Sequence, residues 1–176
     1  MLGRYWVAKQ GPDESVELVL RAALERSAPA RLHDALIHAV FGGGARVRPR
    51  LTLAVARAID AREPSPLTLA SAAAVELVHC ASLVHDDLPC FDDAATRRGR
   101  PTVHSLYGEA CAVLVGDALI IAAFETLAQV QAPSSFFLVL AQAAGAKGGL
   151  VSGQALELED GPIHVTTCLL YTSRCV

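Results

Sequence analysis

The residues best suited to chemistry form one short acidic and basic stretch in the middle of the chain. Four carboxylates occur within eight residues and two arginines follow them: Asp86, Asp87, Asp92, Asp93, Arg97 and Arg98. Ionised carboxylates this close together repel and raise one another's pKa values, so a divalent cation would relieve the repulsion. Mg²⁺ takes one or two carboxylates and keeps its other positions for water and substrate phosphates, and arginine donates in a geometry that fits phosphate oxygens. The stretch therefore predicts a Mg²⁺ site that holds a diphosphate.

A second candidate for phosphate binding is the glycine-rich segment GGGARVRP at residues 42–49. A turn rich in glycine exposes backbone N–H groups, and Arg46 and Arg48 add two guanidinium groups, so the segment can cradle a phosphate. Taken alone, a helix end followed by surface arginines is the commoner origin of such a segment. Its occurrence in the same chain as the acidic cluster favours diphosphate binding.

The acidic cluster follows an apolar segment that predicts a buried helix over residues 67–87. At 100° per residue, Glu76, His79, Leu83 and Asp86–Asp87 share a sector of roughly 100°, opposite a face of alanine, leucine and valine. A polar stripe on a buried helix needs partners, because unpaired buried charges are costly. The stripe is therefore expected to line a cavity that holds ions or ligand, and a solvated acidic helix end is the alternative.

Hydrophobic periodicity predicts helices along most of the remaining chain, and no strand alternation occurs before residue 160. The other predicted helices cover 14–25, 32–41, 50–59, 110–131 and 134–159. Asp13 is a candidate cap for the first of them, and Ser65 or Thr68 is a candidate cap for the helix over 67–87. The predicted fold class is therefore all-α.

Composition also favours packed helices and argues against several function classes. Hydrophobic residues make up 52% of the 176 residues but aromatic residues only 5%, fewer than a β-sandwich would require. The net charge of −3 argues against nucleic-acid binding. Five cysteines without CxxC spacing and an N-terminus without an apolar segment predict a reduced, cytoplasmic protein. Glu76, His79 and Asp117 interrupt the longest apolar runs, so no membrane span is predicted.

Taken together, these motifs resemble the trans-isoprenyl diphosphate synthase family, the polyprenyl synthetases, over about residues 15–160. The most specific element is DDxxxxD followed by RRG, found as Asp86-Asp87-Leu88-Pro89-Cys90-Phe91-Asp92 and Arg97-Arg98-Gly99. Within the family, LVHDDLPCFDDA looks most like bacterial geranylgeranyl diphosphate synthases. The resemblance implies an isoprenoid-synthase-type helical bundle around a central cavity, usually as a homodimer. It divides the chain into the N-terminal part of such a domain over 1–160 and a non-family tail over 161–176.

The same resemblance implies a Mg²⁺-dependent prenyltransferase that condenses isopentenyl diphosphate with an allylic diphosphate. The implied catalytic residues are Asp86, Asp87, Asp92 and Arg97, of which the three aspartates would bind Mg²⁺. The implied substrate-binding residues are Gly44, Arg46, Arg48, His79, Arg97, Arg98 and Gln154. Arg97 would contact the allylic diphosphate, and Arg98, Arg48 and His79 would hold isopentenyl diphosphate.

Product length has its own implied residues. Ala81 and Ser82 lie five and four positions before Asp86, about one helical turn deeper in the implied cavity. Farnesyl-producing relatives carry an aromatic residue there that blocks the tunnel. Two small residues therefore imply a deeper cavity and a C20 product, geranylgeranyl diphosphate.

Three departures from the family pattern bear on this function. Ala45 replaces the lysine of GGKRxRP, and Glu157 replaces the aspartate of GQxxDL. The second aspartate-rich motif, expected beyond residue 160, does not occur, and the 161–176 tail is expected to come from a truncated or misread gene. Inactivity of this fragment is therefore left open. The alternatives are a non-catalytic partner subunit of a prenyl synthase, a terpene cyclase and, more remotely, a metal phosphohydrolase built around His85-Asp86.

Overall fold

Helices and one short hairpin make up the part of the chain that the structure, a computed structural model, describes: residues 12–25 and 29–159. The elements are α1 Pro12–Leu24, α2 Ala30–Val40, α3 Val47–Ile59, α4 Pro66–Asp86, β1 Thr96–Arg97, β2 Arg100–Pro101, α5 Val103–Tyr107, α6 Glu109–Gln129, α7 Ser134–Ala144 and α8 Leu150–Glu157. The all-α class predicted from the sequence is confirmed. The tail over 161–176 lies outside the described residues.

The two longest helices, α4 and α6, have 21 residues each and pack against one another at the centre of the first part of the chain. Leu77 of α4 and Val115 and Leu119 of α6 are completely buried. Alanines follow one another along α4 and are buried too, which lets neighbouring helices approach on several sides. Helices α1, α2 and α3 pack around this pair, so α4 is held from several directions and its last turn has a defined position.

Helix starts and stops correct two sequence predictions and confirm a third. Helix α1 begins at Pro12, so Asp13 lies inside the helix and does not precede it as a cap. The predicted helix over 134–159 is two helices, because the chain turns sharply between α7 and α8. A Cβ on Gly149 would lie 2.5 Å from the carbonyl oxygens of Gln142 and Ala143, so this turn requires glycine. The predicted cap Ser65 is confirmed, since its Oγ accepts a hydrogen bond from the Thr68 backbone N–H at 3.1 Å.

The β hairpin was not predicted from the sequence. β1 and β2 pair antiparallel with two residues each, and the turn between them consists of Arg98 (φ 53°) and Gly99 (φ 73°). Two consecutive positive φ values are typical of the tight hairpin turn that matches the twist of the flanking strands. Strands of two residues cannot produce an alternating pattern, so periodicity does not reveal them.

The chain separates into two compact units, residues 1–132 and 133–176. The described part of the second unit contains α7 and α8. The hairpin and the helices that precede α7 belong to the first unit. The predicted boundary at residue 160 stays a prediction.

Two helices, α4 and α6, are long and apolar enough to cross a membrane, with mean hydropathy of 1.7 and 1.9. Length and composition alone are weak evidence for a span, because the core helix of a soluble protein passes the same test. Here the two helices pack against each other as the core of the first unit.

Candidate active site

The acidic cluster lies where α4 ends and the chain folds back over its last turn. The backbone N–H of Asp92 donates to the Asp86 carbonyl at 3.0 Å, and that of Ala94 donates to the Asp87 carbonyl at 3.1 Å. The N–H of Asp93 donates to the Leu88 carbonyl, also at 3.1 Å. These bonds satisfy carbonyl groups that a helix end otherwise leaves without partners. The loop is thereby fixed against the helix that carries the first two aspartates.

Arg97 bridges the two aspartates at the end of α4. Its Nε donates to Asp87 Oδ1 at 2.8 Å, and its Nη2 lies 2.7 Å from the same oxygen and 3.4 Å from Asp86 Oδ2. Asp87 is only 4% exposed. Burial raises the pKa of Asp87, and the hydrogen bond from Arg97 only partly offsets this. Burial alone would lower the pKa of Arg97, but Asp87 and Asp86 raise it further, so Arg97 stays charged.

Two of the three predicted Mg²⁺ ligands fit that metal together. Asp86 and Asp87 present carboxylate oxygens to one guanidinium group, which occupies the position where a cation would neutralise them. Asp92 is exposed, and its negative charge acts on Arg97. Within residues 12–25 and 29–159, no three side chains of the metal-ligating types form a group that could hold a metal ion. Two carboxylates suit Mg²⁺ that shares its remaining positions with phosphate, and the role of Asp92 stays a prediction.

The hairpin docks on the glycine-rich segment through its arginines. Arg98 donates through Nη1 to the Gly43 carbonyl, and its guanidinium fills the space that a Cβ on Gly44 would take. Arg100 donates to the Phe41 carbonyl at 3.3 Å. These contacts bring the two motifs that the sequence separates by about fifty residues into one site.

His38, which the sequence analysis did not single out, also holds the hairpin. Its Nε2 donates to the Pro101 carbonyl at 2.8 Å, which leaves Nδ1 free of a proton to accept from Arg100 Nη2 at 3.2 Å. The side chain lies on the last turn of α2, so that helix, the glycine-rich segment and the hairpin are joined. No motif spacing signals this role.

His79 lies on α4 two turns before the aspartates and is 9% exposed. Burial lowers its pKa to about 3, with further lowering by the positive charges of four arginines: Arg48, Arg98, Arg97 and Arg46. The imidazole is therefore neutral at ordinary pH, with one ring N–H that donates and one unprotonated nitrogen that accepts. Four guanidinium groups whose charges reach one buried side chain make this region attractive to an anion.

Arg46 is tied into a partly buried ion cluster next to the same segment. Its Nε donates to Glu17 at 2.6 Å, its Nη1 to Glu76 at 2.8 Å and its Nη2 to the Val40 carbonyl at 2.8 Å. Burial lowers the pKa of Arg46, but the two glutamates raise it by more. These bonds fasten the start of α3 to α1, α2 and α4. The predicted role of Arg46 in diphosphate binding stays a prediction, since most of its donors already have protein partners.

Residues 29–173 match the family model described as polyprenyl synthetase. The chain belongs to the polyprenyl synthetase family. This match confirms the family that the aspartate-rich motif and RRG indicated.

Named relatives of this polyprenyl synthetase chain include a geranylgeranyl diphosphate synthase of Cereibacter sphaeroides, 47% identical over 156 residues. That match covers 84% of this chain and 54% of the relative. A chloroplastic geranylgeranyl pyrophosphate synthase 7 of Arabidopsis thaliana is 42% identical, over 86% of this chain and 44% of the relative. The chain thus spans about half the length of the curated relatives it matches.

A solved structure of a geranyltranstransferase from Thermotoga maritima superposes with a TM-score of 0.76 at 34% identity. It covers 87% of this chain and 57% of the solved chain. An isoprenoid synthase family member from Thermotoga neapolitana gives the same TM-score at 36% identity, over 90% of this chain and 61% of that one. The isoprenoid-synthase fold predicted from the sequence is confirmed.

The remaining predicted residues lie on three helices, α4, α3 and α8. Ala81 is buried in α4, and Ser82 is half-buried, with its Oγ donating to the His79 carbonyl at 2.8 Å. Both lie about one turn before Asp86, as predicted. Arg48 is half-buried in the first turn of α3. Gln154 is half-buried on α8 in the second unit, and its role stays a prediction.

Proposed function

We propose that this polyprenyl synthetase chain carries the first half of a Mg²⁺-dependent prenyltransferase site, which condenses isopentenyl diphosphate with an allylic diphosphate. The observation that carries the proposal is the bridge from Arg97 to Asp86 and Asp87, with the neighbouring Arg98 docked on the glycine-rich segment. The end of α4 thus supplies carboxylates for a metal, and the adjacent hairpin supplies guanidinium donors for phosphate. Relatives named geranylgeranyl diphosphate synthase support the same reaction class.

The allylic diphosphate is proposed to bind at the end of α4. Mg²⁺ held by Asp86 and Asp87, with Asp92 as the further ligand, would neutralise the charge that develops on the departing diphosphate. Arg97 is permanently charged and lies against both carboxylates, so it can donate to diphosphate oxygens that enter there. Donors fixed in place before reaction stabilise developing charge without reorganisation cost. The allylic C–O bond then breaks with its electron pair leaving on the diphosphate.

Isopentenyl diphosphate is proposed to bind between the hairpin and α3. Arg98, Arg48 and the neutral His79 would hold its diphosphate, and Gly44 leaves room for the Arg98 guanidinium. The double bond of isopentenyl diphosphate then attacks the allylic cation, a new C–C bond forms, and the proton lost from carbon passes to the released diphosphate. Arg46 would support this site by fixing the loop that precedes α3.

Product length is proposed to depend on Ala81 and Ser82. Both are small and lie one turn before the metal-binding aspartates on α4, so a lengthening chain that runs along α4 meets no bulky side chain there. The proposal therefore specifies a C20 product. A homodimer and a cytoplasmic location are carried over with the family as further expectations.

The test is an incubation of this chain with Mg²⁺, labelled isopentenyl diphosphate and an allylic primer, with products separated by length. We expect C20 product, loss of product with Asp86→Asn, and unchanged product with Asp60→Asn. Asp60 is a charge-matched control, because it is exposed and pairs with Arg62 at the end of α3. Folded protein that forms no product would contradict activity of this chain. The same assay on a version extended through a second aspartate-rich motif would then separate a truncated enzyme from a partner subunit.

A further inference from the structure

His85, the residue before the two aspartates, contacts α6 and not the diphosphate site. Its Nε2 lies 3.3 Å from the Val113 carbonyl oxygen, to which it donates, and 4.0 Å from Asp117 Oδ1. The side chain is 29% exposed, so it lies at the edge of the interface between α4 and α6. This contact joins the last turn of α4 to the neighbouring core helix.

Gly116 provides the space that His85 occupies. A Cβ built on Gly116 would overlap the imidazole at Nε2, Cδ2 and Cε1. Gly116 is buried inside α6 and has ordinary helical geometry, so a positive φ does not explain the glycine. Glycine is unfavourable in the interior of a helix, and the ring of His85 is the feature that requires it. The space left at Gly116, called the Gly116 notch below, is therefore matched to the ring of His85.

The turn that His85 anchors is the turn that carries the carboxylates. The His85 carbonyl accepts from the Leu88 N–H at 3.1 Å, and the Asp87 N–H donates to the Leu83 carbonyl at 3.1 Å. Two negative charges at the C-terminal end of a helix oppose its dipole. A side contact to α6 can keep this turn from rotating. Any rotation of the turn would move both carboxylates.

We propose that His85 is a positioning residue: its imidazole, seated in the Gly116 notch, fixes the last turn of α4 and thereby sets the places of Asp86 and Asp87 for Mg²⁺ and diphosphate. The proposal rests on the proposed function, because that function supplies the metal. Residues that hold metal ligands in place typically change metal affinity by 10–100-fold when they are altered. The notch explains an adjacent pair, histidine and glycine, that neither metal binding nor phosphate binding uses directly.

The test measures Mn²⁺ affinity by electron paramagnetic resonance, with wild type, Gly116→Ala, His85→Ala and His85→Gln. We expect the first two variants to weaken Mn²⁺ binding about tenfold. His85→Gln retains an N–H donor near the position of Nε2, and we expect it to bind within about twofold of wild type, as a positioning role requires. Leu77→Val is the control: it lowers the melting temperature through the core of α4 and should leave Mn²⁺ affinity unchanged.

Hydrogen exchange gives a second readout that does not depend on metal. The amides of Asp92 and Ala94 donate to the Asp86 and Asp87 carbonyls, so we expect them to exchange faster in Gly116→Ala and not in Leu77→Val. If Asp86→Asn binds Mn²⁺ as tightly as wild type does, both the metal site and the positioning role are overturned. Asp86-dependent binding that Gly116→Ala and His85→Ala leave unchanged, with unchanged exchange, would overturn the positioning role alone.

Discussion

Two arginines in this molecule each bridge two carboxylates, and the two bridges do different things. Arg46 joins Glu17 of α1 to Glu76 of α4 and also donates to the Val40 carbonyl. Arg97 joins Asp86 and Asp87, which are adjacent residues at one helix end. The first bridge ties α1, α2 and α4 to the start of α3, whereas the second joins the β hairpin, which carries Arg97, to two neighbouring carboxylates at the end of α4.

The difference suggests what each bridge is for. Removing Arg46 would leave Glu76, which is 7% exposed, without its cation inside the core. Removing Arg97 would leave two carboxylates next to the loop that carries the exposed Asp92. We expect that a metal ion could then neutralise them in place of Arg97. We expect the Arg46 bridge to serve folding stability, and the Arg97 bridge, which lies between two adjacent carboxylates, to serve the proposed cation site.

The largest expected effect comes from the acidic turn. Asp87→Asn removes a charge that Mg²⁺ and Arg97 both require, and we expect prenyl transfer to fall about 10²–10³-fold, the range for loss of one preorganised electrostatic group. The free energy of unfolding should change little, because burial disfavours the Asp87 charge in the folded state. Product formation and denaturant unfolding measure the two effects. A strong loss of stability with retained activity would reverse the assignment of the two bridges.

Arg46 should show the opposite pattern. Arg46→Ala leaves Glu76 buried and unpaired, and breaking such a pair costs about 3–5 kcal/mol of folding stability. Urea unfolding monitored by circular dichroism measures this directly. Arg46→Lys keeps a charge but not the fork that reaches Glu17, Glu76 and Val40 together, so it should fall between wild type and alanine. Unchanged stability in both variants would show that the cluster does not hold the loop.

Buried His79, which lies near both bridges, should make the folding stability depend on pH. Its pKa is lowered from 6.5 to about 3, so below pH 6.5 the unfolded chain binds a proton that the folded chain does not. Folding stability should therefore fall as the pH is lowered from 6.5 towards 3, by up to about 1.4 kcal/mol per pH unit. Unfolding measured across this range should show a shallower slope for His79→Gln. Equal slopes would mean that His79 is protonated in the folded protein.

The smallest expected effect is a change in the KM for isopentenyl diphosphate on substitution of Gly44, for which Gly43 is the matched control. Both have positive φ values, 134° and 98°, so alanine strains the backbone at either position. Only at Gly44 would a Cβ also displace the Arg98 guanidinium. We expect Gly44→Ala to raise the KM for isopentenyl diphosphate about tenfold over Gly43→Ala, the value of one charged hydrogen bond. Equal KM values would remove Arg98 from that subsite.

The sequence predicted long helices well because their apolar patterns are long. Helix α4 was expected over 67–87 and extends from Pro66 to Asp86, and α6 was found to within two residues at either end. The hairpin and the break between α7 and α8 were missed, since two-residue strands have no period and since carbonyl crowding at Gly149 arises only when the chain turns back.

The residues of the candidate site and their roles were both predicted from the sequence, and the roles stay predictions. DDxxxxD and RRG gave Asp86, Asp87 and Arg97 directly, because their spacing is local. Arg46 was predicted to bind substrate, as Arg97 was. Its ion pair with Glu17 could not be foreseen, because Glu17 lies 29 positions away and no local pattern marks it. His85 was named only for the metal phosphohydrolase alternative, and its contact with α6, 28 residues further along the chain, has no local signal in the sequence either.

The measurement that tests the central claim most directly is the binding of inorganic pyrophosphate, followed by calorimetry with and without Mg²⁺. The acidic turn is proposed to bind diphosphate through a metal, so wild type should bind pyrophosphate more tightly with Mg²⁺ than without it. Asp87→Asn should remove this Mg²⁺-dependent gain. Arg46→Lys should bind as wild type does, as long as it is folded. Binding that is equal without Mg²⁺, or equal in Asp87→Asn, would contradict the account.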